Sequence, residues 1–429
     1  MMKPPSTKPN KYPAAWLYLI GGFLSAGILM WRMYTFEDFQ SMILPRGSLS
    51  VGLFILAGTI LLILLWQLQR VSERTMFFVF AGLVAVFPIM ITLQQVSTHQ
   101  RTTGQPYEVD SGVQTEVAAG MLLAGKNPYQ EDFSQTAYGA YQGMYYSLQQ
   151  KTGNIAWQHY AYPPLTFLVA APIRAVFDWC GAVYDTRVAV LLFYLFGGLA
   201  VTWAMSTWSR RALAWILTIG NPLWVFFLAA GFNDAQFAAM LIVTAVALHK
   251  KKYVWSAVAL ALACGLKQLA WPMAGLWVVY VLMQAGAARW RAIWVFAGIS
   301  LAIFGPFLIW NTGAMYDDIV RYVSGMEYGA YPISGLTVLQ YLRVWHIISD
   351  PWMIVPAWIL QAAVGLPVLA WGAWTMWRRA SATAWLISGS LFILAIGIVA
   401  RYQYENYIAS IMIMLLSAAC LYHQEQQPA

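Results

Sequence analysis

MFFVFAGLVAVFPIMITLQQ, residues 76–95, is a run of 20 residues without a single charge. As an α-helix it rises about 30 Å, the thickness of a bilayer's hydrocarbon core. Apolar runs of roughly 17–25 residues recur along the chain, the length range that spans lipid as helix. They are continuously apolar and lack the period-two alternation of barrel strands. Helices and closed barrels are the only structures that satisfy every backbone hydrogen bond in lipid, so the fold class is an all-α, polytopic transmembrane helix bundle. Composition agrees: 60% of the 429 residues are hydrophobic and 10% are charged, against about 25% charged in soluble domains. Many of the 22 Trp and 24 Tyr fall near the ends of apolar runs, where amphipathic rings settle at headgroup level.

The net charge of +8 follows from topology and implies no nucleic-acid partner. Lys3, Lys8 and Lys11 place the N-terminus in the cytoplasm, and Arg70 with Arg74, Lys250 to Lys252, Arg289 with Arg291, and Arg378 with Arg379 mark further inner ends. The first apolar block, about Ala14 to Trp31, has no evident small-residue cleavage site and reads as a retained helix. Residues 97–162 and 311–352 then become two long extracytoplasmic loops, with Arg401 to Asn406 a shorter third and Asn233 and Asp234 also outside. The whole chain, residues 1–429, reads as one membrane domain in a cytoplasmic (inner) membrane, both termini inside. Parity requires an odd number of crossings between Pro164 and Arg210, yet two apolar blocks are visible there. The expectation is about 12 spans plus a re-entrant hairpin in the second block, turning at Gly197 and Gly198. Cys180, Cys264 and Cys420 are widely spaced and suggest neither a disulfide framework nor a metal site.

The first outer loop is the richest in chemistry. Glu108 and Asp110 precede an expected interfacial helix, Gly112 to Ala124, with Ser111 and Gln114 at capping-box spacing and Gly125 as the stop. Tyr138, Tyr141, Tyr145 and Tyr146 suggest a second such helix, and the loop closes on His159-Tyr160-Ala161-Tyr162-Pro163-Pro164. A carboxylate at a helix start is favoured in its ionised form and can serve as a base toward a hydroxyl, or as a plain N-terminal charge. A Glu108–Asp110 pair could hold a hard cation, but lacks a further partnered acidic cluster. No metal or cofactor is expected.

The surroundings carry a resemblance. An acid after an early helix, then Leu-Leu-Ala-Gly-Lys-Asn-Pro-Tyr (Leu122 to Tyr129), then Tyr162-Pro163-Pro164-Leu165, Gly231-Phe232-Asn233-Asp234 and Gly265-Leu266-Lys267-Gln268 follow in the order seen in glycosyltransferase family 87 of the GT-C superfamily. The chain resembles that family from about Asp110 to Arg291, and loosely beyond; two spans lie between its first helix and the acidic loop, where many members have none. The resemblance implies a polyprenyl-phosphate sugar donor, often mannose, a lipid-linked or glycan acceptor, and inversion at the anomeric carbon outside the membrane. It implies Asp110 as the acid near the acceptor hydroxyl and His346 as a paired histidine, with His159 an alternative. The departing phosphate needs cations, for which Lys267, Arg321, Arg343 and Arg401 are candidates. Glu108, His159, Tyr162, Asn233, Asp234 and Gln268 complete the expected substrate-binding set. Plainer readings stand beside these: Lys267 as a snorkelling residue, Arg321 as a partner of Asp317 or Asp318, Arg401 as a partner of Glu405, and Asn233 as a helix cap. The competing functions are a polyprenyl-lipid or small-molecule transporter or flippase, and a scaffold that binds partners through its aromatic loop. No internal repeat of the kind transporters carry is evident.

Overall fold

A computed structural model describes residues 58–60, 63, 71–101, 109–140, 155–284, 286–326 and 330–426. The first expected span, nearly all of the second, and Glu108 lie outside them. The helices are α1 (Glu73–Arg101), α2 (Asp110–Leu123), α3 (Leu165–Trp179), α4 (Arg187–Ala204), α5 (Trp208–Thr218), α6 (Pro222–Ala230), α7 (Asp234–His249), α8 (Tyr253–Leu266), α9 (Trp271–Gln284), α10 (Ala288–Tyr316), α11 (Val338–Val344), α12 (Ala357–Arg379), α13 (Ala382–Ile398) and α14 (Glu405–Glu425). The strands are a two-residue parallel pair, β1 (Ser334–Gly335) on β2 (Tyr402–Gln403).

Among the described residues, five segments are long and apolar enough to cross a membrane: α1, α4, α10 with its extension to Tyr322, α12 and α14. A sixth arises if α5 and α6, bent by 44°, form one broken span. The break has a local cause: Asn221 accepts hydrogen bonds from the N–H groups of Leu223 and Trp224, and Pro222 opens the new helix. Three further apolar helices, α7, α8 and α13, are 10–17 residues long. By this measure the described residues, which omit the first expected span and nearly all of the second, hold five or six spans, and α8, with 14 residues, reaches only about 21 Å. The main core lies between these helices, with Trp224, Trp277 and Trp385 fully buried.

The expected hairpin in the second block does not form. α4 runs unbroken through Gly197 and Gly198. These glycines mark a packing face: a Cβ at Gly197 would lie 2.9 Å from Ala239 Cα on α7. The segment whose two ends return to one place is α3. Before it, the carbonyl of His159 accepts from Gln114 of α2; after it, the N–H of Thr186 donates to Glu116 of the same helix. The chain therefore leaves and rejoins α2 within one turn, and Arg174 on α3 donates to the Glu116 carbonyl. Gly197→Val should drive α4 off α7 and cost about 1–3 kcal/mol by overpacking. A lowered thermal midpoint in detergent is expected, while Gly82→Val, which meets nothing within 4 Å, leaves the midpoint in place. Equal midpoints for the two would contradict this packing.

Two loop boundaries also differ. Asn311 departs from helical geometry, but its side chain accepts from the Ala314 N–H at 3.0 Å and restarts the helix. The chain then continues through a π-helical stretch, Asp317–Tyr322, so the second loop begins later than residue 311. The expected capping box does not form. α2 starts after Val109 with no side-chain cap, and Gln114 is spent on His159. Gly125 does stop the helix, with φ +74.

Candidate functional site

Four helix ends converge on one side of the bundle. α2 starts at Asp110, α7 at Asp234 and α14 at Glu405, while α8 ends at Leu266 and leaves Lys267 in extended backbone, φ −155 and ψ 137. Between them lies a cavity of about 420 Å³, lined by Asp110, Asn233, Asp234, Lys267, Glu405 and Asn406. Its aromatic walls are Tyr162, Phe232, Tyr331, Tyr402, Tyr404 and Tyr407. Three helix N-termini aim their positive dipole ends at this space.

Lys267 and Asp234 form a buried ion pair, both under a tenth exposed. Asn406 donates to the other Asp234 oxygen at 2.6 Å, and Asn233 Oδ1 accepts from Lys267 Nζ at 3.4 Å. Asn233 is thus used across the site, with no side-chain capping bond. The ammonium also lies 4.7 Å from the Tyr407 ring centroid and 5.7 Å from that of Tyr162, within cation–π range. Asp110 is different. Among the described residues it takes part in no ion pair, and burial holds its carboxyl above the usual range, only partly offset by the Ser111 N–H and the Lys267 charge, with Asp234 pushing it further up. Burial also keeps the Tyr162 and Tyr402 phenols neutral.

A second cavity of about 190 Å³ adjoins the first and shares Lys267, Gln268, Tyr402 and Tyr407 with it. Its polar lining includes Arg401, Ser324, Gln361 and Gln403, and no carboxylate. Arg401 is not paired with Glu405. Its guanidinium donates to the carbonyls of Tyr331, of Met353 at 2.8 Å and of Pro351 at 3.1 Å. Burial lowers its pKa. Lysine cannot reproduce this fork, so Arg401→Lys is expected to cost about 1.5–3 kcal/mol. The check is thermal unfolding in detergent; an unchanged midpoint would show that the fork is dispensable.

The loop from His159 to Pro164 forms one wall, held by groups behind it. Asp318 accepts from the Tyr160 N–H at 2.8 Å and bonds His159 Nδ1 at 2.7 Å, and His159 stacks on Tyr322 at 4.4 Å. Gln268 donates to the carbonyls of Ala161 and Ile319, and the Tyr129 hydroxyl to that of Tyr162 at 2.9 Å. Two groups could geometrically hold a metal, His159 with Asp317 and Asp318, and His99 with Glu116 and Asp185. Their carboxylates are committed within the protein: Asp318 to His159 and Tyr160, Asp185 to Arg187 and His99, Glu116 to Thr186.

Of the expected site residues, Asp110, Tyr162, Asn233, Asp234, Lys267 and Gln268 line the first cavity, and Arg401 lines the second. His159 is buried behind the wall. His346 is exposed, beyond the end of α11 at φ 59, and lines neither cavity. Arg321 is paired with Asp317 at 2.9 Å, and Arg343 contacts the Ile333 carbonyl and Gln340, both at 3.4 Å. Neither lines either of these two cavities. Sequence reasoning did not single out Asn406, Tyr331, Tyr402, Tyr404 or Tyr407; the signal available was the aromatic density of Arg401 to Tyr407 at the start of an apolar run. No family model matches this chain, and no curated protein is significantly similar to it.

Proposed function

We propose that this protein is an integral membrane glycosyltransferase that moves a hexose, mannose by resemblance to family 87, from a polyprenyl-phosphate donor to a lipid-linked or glycan acceptor with inversion. One observation carries the reading: Asp110, a carboxylate with no ion-pair partner among the described residues, shares a cavity with a buried ammonium, Lys267, at the converging helix ends. Asp110 accepts the acceptor's hydroxyl proton. The freed oxygen attacks the anomeric carbon from the face opposite the phosphate, the carbon–phosphate-oxygen bond breaks, and its electron pair leaves on the phosphate. The leaving group is already stable, so one base suffices, in contrast to the carboxyl pair typical of glycoside hydrolysis. The acid-free second cavity, with Arg401 and Lys267, suits the departing phosphate. The tyrosine walls offer flat faces for a sugar ring and neutral hydroxyls for its oxygens.

Full-length protein in nanodiscs, given radiolabelled polyprenyl-phosphate mannose and a membrane lipid extract, tests the reading. Sugar transfer to a new product is expected. Donor binding without transfer to any acceptor fraction would overturn it and favour carriage of the lipid.

A further inference from the structure

Residues 336–354 form a hairpin at the cavity's end of the bundle with two unlike faces. The inner face packs Leu339 with Ile333 and Ala357, flanked by Leu342, Ile348 and Val355. The outer face presents Tyr341, Val344, Trp345, Ile347 and Ile354, with Trp345 and Ile347 each 68% exposed. Such exposure is disfavoured in water for a cluster of large apolar groups. The same apolar surface continues along the chain into the first turn of α12, where Trp358, Ile359 and Leu360 are also exposed. α12 is long and apolar enough to cross a membrane and little buried within the protein, so these side chains face lipid. From Leu336 to Ile348 the basic side chains are Arg343 and His346, with no carboxylate until Asp350. Apolar and aromatic groups on one side with basic groups beside them are the pattern of a segment lying in a membrane interface.

We propose that this hairpin lies in the bilayer leaflet on the cavity's side, Trp345 and Ile347 among the acyl chains, and Arg343 and His346 level with anionic phospholipid headgroups. Both its feet are fastened to the cavity wall. Ser334 and Gly335 pair with Tyr402 and Gln403, and Arg401 donates to the carbonyls of Pro351 and Met353. The Tyr404 hydroxyl meets Ser334 Oγ at 2.6 Å. The hairpin therefore ties the leaflet to the wall that lines both cavities.

Depth can be read without any transfer assay, so this placement stands or falls apart from the glycosyltransferase reading. In full-length protein carrying Cys180→Ser, which removes the exposed native thiol, single substitutions Trp345→Cys and Ile347→Cys would each carry a nitroxide label. Trp358→Cys serves as the lipid reference and exposed Lys126→Cys as the aqueous one. In nanodiscs of phosphatidylcholine and phosphatidylglycerol, labels at 345 and 347 should collide with oxygen in preference to a water-soluble nickel chelate. Their ratio should be several-fold above that at 126 and close to that at 358. A water-like ratio would overturn the proposal, and so would labels shielded from both reagents, which would mean that a protein partner or a second copy covers the face.

Discussion

Asp110→Asn is expected to lower the rate of sugar transfer by about 10²–10⁴-fold, the usual contribution of a positioned base, while leaving the fold intact. The amide keeps the size of the carboxyl but cannot accept the hydroxyl proton. Its effect on stability separates a chemical role from a structural one. Burial raises the Asp110 pKa in the folded protein, so ionisation opposes folding, and the carboxylate form costs stability once the pH passes the ordinary carboxylate range. The neutral amide removes that cost. The variant should therefore unfold at the same temperature as the parent at neutral pH, or slightly higher. The same shift sets the pH profile of the parent: transfer should fall on the acid side at a pH above the ordinary carboxylate range. A variant that is inactive because it unfolds at lower temperature, or one that retains transfer, would remove Asp110 from the chemistry.

The largest loss of stability is expected from Arg187→Ala. Asp185 is fully buried and takes hydrogen bonds from Arg187 Nη2 at 2.9 Å and Nε at 3.0 Å, with His99 at 3.3 Å. Burial alone would raise its carboxyl, but His99 and the Arg187 guanidinium together pull it down to about 2. Removing the arginine strands a buried negative charge, which typically costs about 3–5 kcal/mol. The sign in pH follows. A depressed carboxyl contributes stability above its unfolded pKa, near 4, and loses it as pH falls toward about 2. The parent should lose stability through that window, and Arg187→Ala should be weak at neutral pH with a much shallower acid limb. Arg187→Ala, Asp185→Asn should recover part of the loss, since the amide leaves no charge unpaired. Thermal unfolding followed by tryptophan emission in detergent reads all three, and a single variant within about 1 °C of the parent would refute the account.

The bundle itself was legible because a run such as residues 76–95 has one use at that length and apolarity. Which blocks cross was less so. Hydropathy cannot distinguish a glycine pair that breaks a helix from one that lets two helices touch, and Gly197 and Gly198 are of the second kind. α3 is apolar because it packs beside α2, a tertiary fact absent from its own composition. In the site, Asp110, Asn233, Asp234 and Lys267 were recognisable as polar residues at the ends of apolar runs. Their convergence needed packing. His346 illustrates the limit: loop membership is readable, but the direction a loop residue faces is not. Arg401 and Glu405 suggested a local pair by proximity, whereas the guanidinium is taken by carbonyls up to 70 residues away in sequence. Asn406 looked unremarkable because its partner, Asp234, is 172 positions distant.

α8 stops after 14 residues, so Lys267 is carried about 21 Å from the helix start, against roughly 30 Å of hydrocarbon. Under the proposed reading, with α8 starting at the opposite hydrocarbon boundary, the leaflet thins over the site by the difference of roughly 9 Å, which brings a phospholipid's phosphate to the ammonium's level. A lipid-borne headgroup could then slide in sideways at its natural elevation, without being hauled out toward water, and its tail would stay solvated by neighbouring lipids throughout. At that depth bulk ions are sparse, so added salt should weaken the attraction far less than it would at an open surface.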